Sequence, residues 1–168
     1  MSRDWEEIGR QPSPSWYLDP VVAAQKRDVH LALIRKWWAA MGQECVLKTD
    51  LFEEAFGEDC ILPALAPGAR FVCGIDTASS TARAAFLRVP QARIVACDAR
   101  RMCFKPGAFH VVVSTSTLDH FENKEDFSLA LREIHGLLRP GGLLILTLDN
   151  PSNPLYWPLR FLSQTGLA

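Results

Sequence analysis

The stretch RFVCGIDTASSTARAAFLRVPQARIVACD, residues 70–98, decides how this chain is read. It opens with an apolar run from Phe71 to Ile75 that ends on Asp76. An alanine-rich stretch from about Ser79 to Arg88 has helical composition, and a second apolar run, from Arg93 to Cys97, closes on Asp98. Apolar runs that are continuous rather than alternating belong to strands covered on both faces, and two such strands separated by a helix run parallel. The unit is strand, crossover helix, strand, with a carboxylate at the end of each strand.

The same alternation extends outward in both directions. CVLKTD, residues 45–50, reads as a strand turning into a short acidic helix over 51–57, FHVVVS at 109–114 as a strand, and LLILTL at 143–148 as another. Between these last two, a helix from about Asp126 to Leu138 puts Phe127, Ala130, Leu131, Ile134, Leu137 and Leu138 on its buried side, and Arg139-Pro140-Gly141-Gly142 stops it. Upstream, Asp19-Pro20 reads as an N-cap with proline in the first helical position. Val22, Val29, Leu33, Trp37 and Met41 fall near one face of that helix, Ile34 and Trp38 widen the stripe, and Gly42 is a stop. Residues 1–18 show no period and read as an irregular arm.

The expected fold is one α/β domain over residues 1–168. It has an arm and packing helix to residue 43, a doubly wound, mostly parallel sheet of about five strands with helices on both faces over 44–150, and a C-terminal segment over 151–168.

Composition narrows the function classes. The apolar share of 48% and charged share of 22% are those of a globular chain, and a formal net charge of -1 offers no attraction to nucleic acid or an anionic membrane. No apolar run is long enough to span a membrane, and the acidic start MSRDWEEIGR is unlike a signal peptide, so the expected location is the cytoplasm. Five cysteines without a C-x-x-C pair argue against a disulfide framework or a zinc knuckle, and they read as buried thiols.

Ligands of open parallel sheets bind beyond the carboxyl ends of the strands, where strand order reverses. Asp50, Asp76 and Asp98 end the first three strands. A carboxylate closing the second strand can accept from both hydroxyls of a ribose, and one closing the third can accept from an exocyclic amine, so together they suggest adenosine. The competing reading is local, since Asp at a strand end is a common cap or turn residue, and Thr77 and Ser79 after Asp76 fit that equally well.

Four segments carry a family resemblance: G-I-D at 74–76, C-D-A at 97–99, F-H-V-V-V-S-T-S-T-L-D-H-F at 109–121 and L-R-E-I-H-G-L-L-R-P-G-G-L-L-I-L-T at 131–147. Over roughly residues 44–150 the chain resembles the class I S-adenosylmethionine-dependent methyltransferases, of the type 11-like kind, with a Rossmann-like sheet. The resemblance implies S-adenosylmethionine as cofactor. It places Asp76, with Thr77, at the ribose, Asp98 with Ala99 at the adenine, and the turn after Ser114 along the cofactor. It also implies a small-molecule methyl acceptor.

The chain departs from that family in two places. The first loop of such enzymes is an acid followed by G-x-G-x-G; here Lys48 stands near the acid, and Asp50, Phe52 and Glu54 near the glycines. S-adenosylmethionine carries no phosphate, so its loop need not cradle an anion with backbone amides, the strictest demand for glycine in dinucleotide sites. Its methionine end does carry cations and a carboxylate, so Asp50 and Glu53 are expected at the cations and Lys48 or a helix N-terminus at the carboxylate. The alternative is a turn that has lost binding, with Phe52 filling the space. Second, the family's C-terminal hairpin strands are lacking, which leaves the fifth strand as an apolar edge. This implies a fragment of a longer protein, a truncated paralogue, or coverage of the edge by a partner or a second copy.

Methyl transfer needs a general base only where the acceptor must lose a proton. Asp119-His120 is the acid and histidine pair nearest the expected site. His120 is the candidate base or acceptor-orienting group, against a packing role beside Phe121. The segment from Asp149 to Pro158, with Tyr156 and Trp157, reads either as part of an acceptor pocket or as a crossover. Three functions remain in play: methyltransferase, a catalytically silent methyltransferase-like binding module, and a nicotinamide-dependent oxidoreductase, the last disfavoured because no G-x-G-x-x-G follows the first strand.

Overall fold

Strand β1 (Cys45–Thr49) is buried on both sides and lies at the centre of the sheet, with Val46 and Leu47 fully buried on opposite faces. The structure, a computed structural model, describes residues 4–12, 20–38 and 44–150. Helices α1 (Trp5–Arg10) and α2 (Pro20–Trp37) precede β1. After it come α3 (Phe52–Phe56), α4 (Leu62–Leu65), β2 (Phe71–Asp76), α5 (Ser79–Arg88), β3 (Arg93–Ala96), β4 (Phe109–Thr115), α6 (Lys124–Leu137) and β5 (Leu138–Thr147).

The five strands lie in the order β3-β2-β1-β4-β5, and every neighbouring pair is parallel. The chain winds from β1 out to β3 and then returns to the other side of β1, so strand order reverses between β1 and β4. That reversal is where a doubly wound sheet opens a crevice at its carboxyl edge.

Alternate residues of each central strand supply two separate cores. Val46, Val72, Val111 and Val113 pack with Leu31 and Ile34 of α2, Leu62 and Leu65 of α4 and Ala85 of α5. Leu47, Cys73, Ile75 and Val112 pack with Ala130, Ile134 and Leu137 of α6. Each large aliphatic side chain taken fully out of water contributes about 1.5–3 kcal/mol, so both faces stabilise the sheet. Gly74 of β2 is set by a close approach, because a Cβ there would lie 2.4 Å from Leu51 Cδ2.

The doubly wound parallel sheet is as the sequence implies, and several local expectations are corrected. Within the supposed irregular arm, Trp5–Arg10 is a helix, capped by the Asp4 carboxylate on the amides of Glu6 and Glu7. Residues 13–18 lie outside the described residues. On α2 the buried face carries Ala23, Leu31 and Ile34, with Trp38 just beyond the helix, while Val22, Val29 and Trp37 of the expected stripe are exposed. That face also carries Lys26, which pairs with Glu53 and Asp59. A count of apolar residues alone overlooks a docking face built partly on ions. Met41 and Gly42 lie outside the described residues.

Helix α6 starts at Lys124 rather than near Asp126, because Asn123 caps it by accepting from the Asp126 amide at 2.7 Å. Arg139-Pro140-Gly141-Gly142 does not separate helix from strand: the ladder to β4 begins at Leu138 and shifts register between Phe109 and Val111, with Gly141 at φ +77°. The thiols are free, and they are less uniformly buried than expected: Cys73 is buried, Cys45, Cys60 and Cys97 are half-buried, and Cys103 is exposed. Among the described residues no helix is long and apolar enough to cross a membrane, and no cluster has the makings of a metal site.

Candidate functional site

The carboxyl ends of β1, β2 and β3 and the turn after β4 converge on a cleft of about 480 Å³. Asp50, one residue past β1, adopts φ +79°, a left-handed conformation that Asp tolerates better than most residues. Its Oδ1 accepts from the Phe52 amide at 2.8 Å and so starts α3. Burial, reinforced by the neighbouring Glu53 and Asp76 carboxylates, pushes the Asp50 carboxyl well above the usual range, although Lys48 opposes this.

Asp76, the last residue of β2, has each carboxylate oxygen on a different turn. Oδ1 accepts from the Ala78 amide at 2.8 Å and Oδ2 from the Leu51 amide at 3.0 Å. A carboxylate has about four acceptor positions, so each oxygen retains one toward the cleft. Burial raises the pKa of this group too, against the lowering effect of the two amides.

Asp98 lies two residues beyond β3 and is gripped by Arg100, whose Nη2 approaches Oδ2 at 2.6 Å and whose backbone amide donates to Oδ1 at 2.8 Å. The Arg100 guanidinium holds this carboxyl below its usual range, outweighing partial burial. Its Nη1 reaches Asp126 Oδ2 at 2.8 Å, and its Cζ stands 5.6 Å from the centroid of the Phe121 ring. Arg100 therefore ties the turn after β3 to the start of α6 across one wall.

At the reversal point the hydroxyls of Thr49, Ser114 and Thr117 form a chain, with Thr49 Oγ1 2.9 Å from Ser114 Oγ and 3.0 Å from Thr117 Oγ1. Thr117 faces the cleft, whereas Ser114 is fully buried behind it. Asp119 and His120, in the 3-10 turn Leu118–His120, both line the cleft. Asp119 Oδ1 is buried and has no hydrogen-bond partner among the described residues. The exposed His120 ring stands 5.2 Å from that of Trp5.

Trp5 arrives on α1, which is fastened to the start of α5. Glu6 Oε2 accepts from the Ser79 amide at 2.7 Å, and Ser80 Oγ donates to the Glu6 carbonyl at 3.1 Å. Gly9 permits this approach, since a Cβ there would lie 2.3 Å from Ser80 Oγ.

Of the residues expected at the site, Asp50, Asp76, Thr77, Asp98, Ala99, Asp119 and His120 all line this one cleft. Lys48, Glu53 and Ser114 do not. Lys48 is buried beneath the turn against Glu54, and Glu53 turns away to Lys26. Lys48 and Glu53, expected as direct ligand contacts, thus lie off the cleft: alternate residues of a strand face opposite sides, and Lys48 shares the side of Val46. Phe52 lines the cleft and packs edge-on against Phe56 at 5.3 Å without closing it. Sequence reasoning missed Arg100, Asp126 and Trp5. For Trp5 a signal was present: Asp4-Trp5-Glu6-Glu7 has capping-box spacing. For Arg100 and Asp126, separated by 26 residues, there was none. The segment 151–158, considered for an acceptor pocket, lies outside the described residues.

Sheet order and an acid-lined cleft at the reversal point define a doubly wound α/β domain of the kind that binds a ligand at its carboxyl edge. The chain belongs to the methyltransferase domain family, whose profile matches residues 52–146, more than half of the 168. The match begins at Phe52, within the glycine-free turn.

Similar solved structures include the N-methyltransferase NodS from Bradyrhizobium japonicum WM9 in complex with S-adenosyl-L-homocysteine. It is 21% identical, with a TM-score of 0.60 over 70% of this chain and 59% of that one. Phosphoethanolamine N-methyltransferase 1 from Haemonchus contortus, in complex with phosphoethanolamine and S-adenosylhomocysteine, is 17% identical, with a TM-score of 0.66 over 88% of this chain and 32% of that one. The [4+2]-cyclase SpnF is 18% identical, with a TM-score of 0.57 over 70% and 43%. These likenesses show the fold, and the chain spans about 60% or less of each of these relatives. No curated protein sequence matches.

Proposed function

We propose that this chain binds S-adenosylmethionine in the cleft and transfers its methyl group to a small-molecule acceptor. The observation that carries this reading is the placement of Asp76 and Asp98 on one cleft with Asp50 between them and the reversal point. The volume of about 480 Å³ is within the range of roughly 300–1,000 Å³ usual for small-molecule sites. The residues present suit the group. Asp76 keeps acceptor capacity for ribose hydroxyls, Asp98 is the acceptor for an exocyclic amine, and Asp50 offers a carboxylate to a cation.

Bound there, S-adenosylmethionine supplies an electrophilic methyl group on a sulfonium. The protein's own residues then have the tasks of alignment and water exclusion. Trp5 and Phe121 give the rim flat apolar surface, and Asp119 offers an unpaired buried oxygen to an acceptor N–H or O–H. His120, exposed at the rim, is placed to take a proton from a hydroxyl acceptor. The outer side of β5, unpaired among the described residues, is proposed to be covered by a second copy or by a partner.

A second reading, a catalytically silent binding module, is favoured by Phe52 standing in the cleft where the family has glycine, and by Arg100 occupying both oxygens of Asp98. Calorimetric titration with S-adenosylhomocysteine and with NAD separates the readings. Binding of the first alone supports the methyltransferase, binding of neither supports the silent module, and binding of NAD alone overturns both. Methylation assays over acceptor panels then identify the acceptor.

A further inference from the structure

A turn that takes a left-handed backbone without glycine is strained, and its surroundings must hold it in place. Here the turn after β1 is held from beneath by a buried ammonium. Lys48 is 1% exposed, and its Nζ donates to the Asp50 carbonyl at 2.6 Å. The same Nζ lies 2.8 Å from Glu54 Oε2 and 3.8 Å from Glu53 Oε2. Glu54 is fully buried, and its other oxygen accepts from the Ile61 and Leu62 amides at 3.2 and 3.4 Å, at the start of α4. A buried charge persists only when paired and hydrogen-bonded, and this one is bonded directly to the backbone of the turn.

The peptide groups around Asp50 are thereby held on three sides. The Asp50 amide donates to the Ile75 carbonyl at 2.8 Å, its carbonyl accepts from Lys48, and the next amide, that of Leu51, donates to Asp76. Backbone at φ +79° is strained for a non-glycine residue, so it persists only where the surroundings over-determine it. The charges acting most strongly on the Asp50 carboxylate are those of Glu53, Lys48 and Asp76.

We propose that Lys48 is a positioning residue: anchored by Glu54, it fixes the Asp50 carbonyl and so keeps the Asp50 carboxylate turned to the cleft, at a backbone conformation that glycine would adopt without strain. The part of this concerning the cofactor rests on the function proposed above; the part concerning the turn does not.

The test replaces both buried charges together, as Lys48→Met with Glu54→Leu, so that neither is left unpaired. Lys26→Met, which disturbs the same acidic group without touching Asp50, serves as the control. In the double variant the Leu51 and Phe52 amides are expected to exchange hydrogen about tenfold faster or more, with β4 amides unchanged. S-adenosylhomocysteine affinity is expected to fall about tenfold, and in the control less than about twofold. Unchanged exchange at Leu51 and Phe52 overturns the proposal, whether or not any ligand binds. Faster exchange with a wild type that binds no S-adenosylhomocysteine upholds the brace and overturns the cofactor reading alone. Should the double variant not fold, nitrogen-15 NMR of the wild type decides: slowly exchanging Lys48 ammonium protons support the brace, and surface-like exchange refutes it.

Discussion

Asp76 Oδ2 accepts the Leu51 amide at 3.0 Å, so the carboxylate proposed to hold a ribose also holds up the turn after β1. Binding and stability are joined at this residue. Removal of the side chain strips the Leu51 and Ala78 amides of their acceptor. Asp76→Ala is expected to lose about 1–3 kcal/mol of stability and nearly all S-adenosylhomocysteine binding. Chemical denaturation and calorimetry check the two effects separately. A folded variant with wild-type affinity would refute the ribose assignment.

Arg100 occupies Asp98 so fully that, in the proposed binding mode, an adenine amine has to compete with it. Its side chain is 40% exposed, and exposed ion pairs contribute about 0–1 kcal/mol, so Arg100→Ala should barely alter the melting temperature. The variant should bind S-adenosylhomocysteine at least as tightly as the wild type, and Asp98→Ala should bind it about tenfold more weakly. If Arg100→Ala weakened binding as much as Asp98→Ala, the competition argument would fail.

Asp50 and Asp76 both have carboxyls raised above the usual Asp value by burial. Between the unfolded value and the raised one, the folded chain binds more protons than the unfolded, so these two groups lower stability as pH rises through that window. Glu53 and Asp98 have the opposite sign. Burial would raise Glu53, but Lys48 and Lys26 outweigh it, and Arg100 lowers Asp98; their contributions are present above the unfolded values and are lost on acidification. In the proposed binding mode a sulfonium lies near Asp50 and favours its ionised form. The preference for S-adenosylmethionine over S-adenosylhomocysteine should therefore grow with pH in the wild type and stay flat in Asp50→Asn. Parallel pH titrations by calorimetry read this, and a flat wild-type preference would remove Asp50 from the cation site.

Gly9 and Ser80 set how closely α1 can lie on α5. Gly9→Val overpacks that contact, at a cost of about 1–3 kcal/mol, which is set against the docking of one short helix rather than either main core. Trypsin should then cut after Arg10 roughly tenfold faster. The main melting transition should move little. Equal cleavage rates in the two proteins would show that α1 is not held by this approach.

The alternation of apolar strands and crossover helices was legible because it is local: a strand buried on both faces must be continuously apolar, and parallel strands need a helix between them. The carboxylates at 50, 76 and 98 were legible for the same reason, since strand ends mark the carboxyl edge and a doubly wound sheet gathers those ends. Which way each side chain faces, and which distant group it meets, was decided only by tertiary structure. Lys48 sits one register position before Thr49 and looks like a loop cation, but alternation along β1 sends it beneath the turn to Glu54. Arg100 finds Asp126, and Trp5 finds His120, across separations that no short-range pattern encodes. Sequence periodicity fixes what must be buried somewhere, and the packing of the whole chain determines against what.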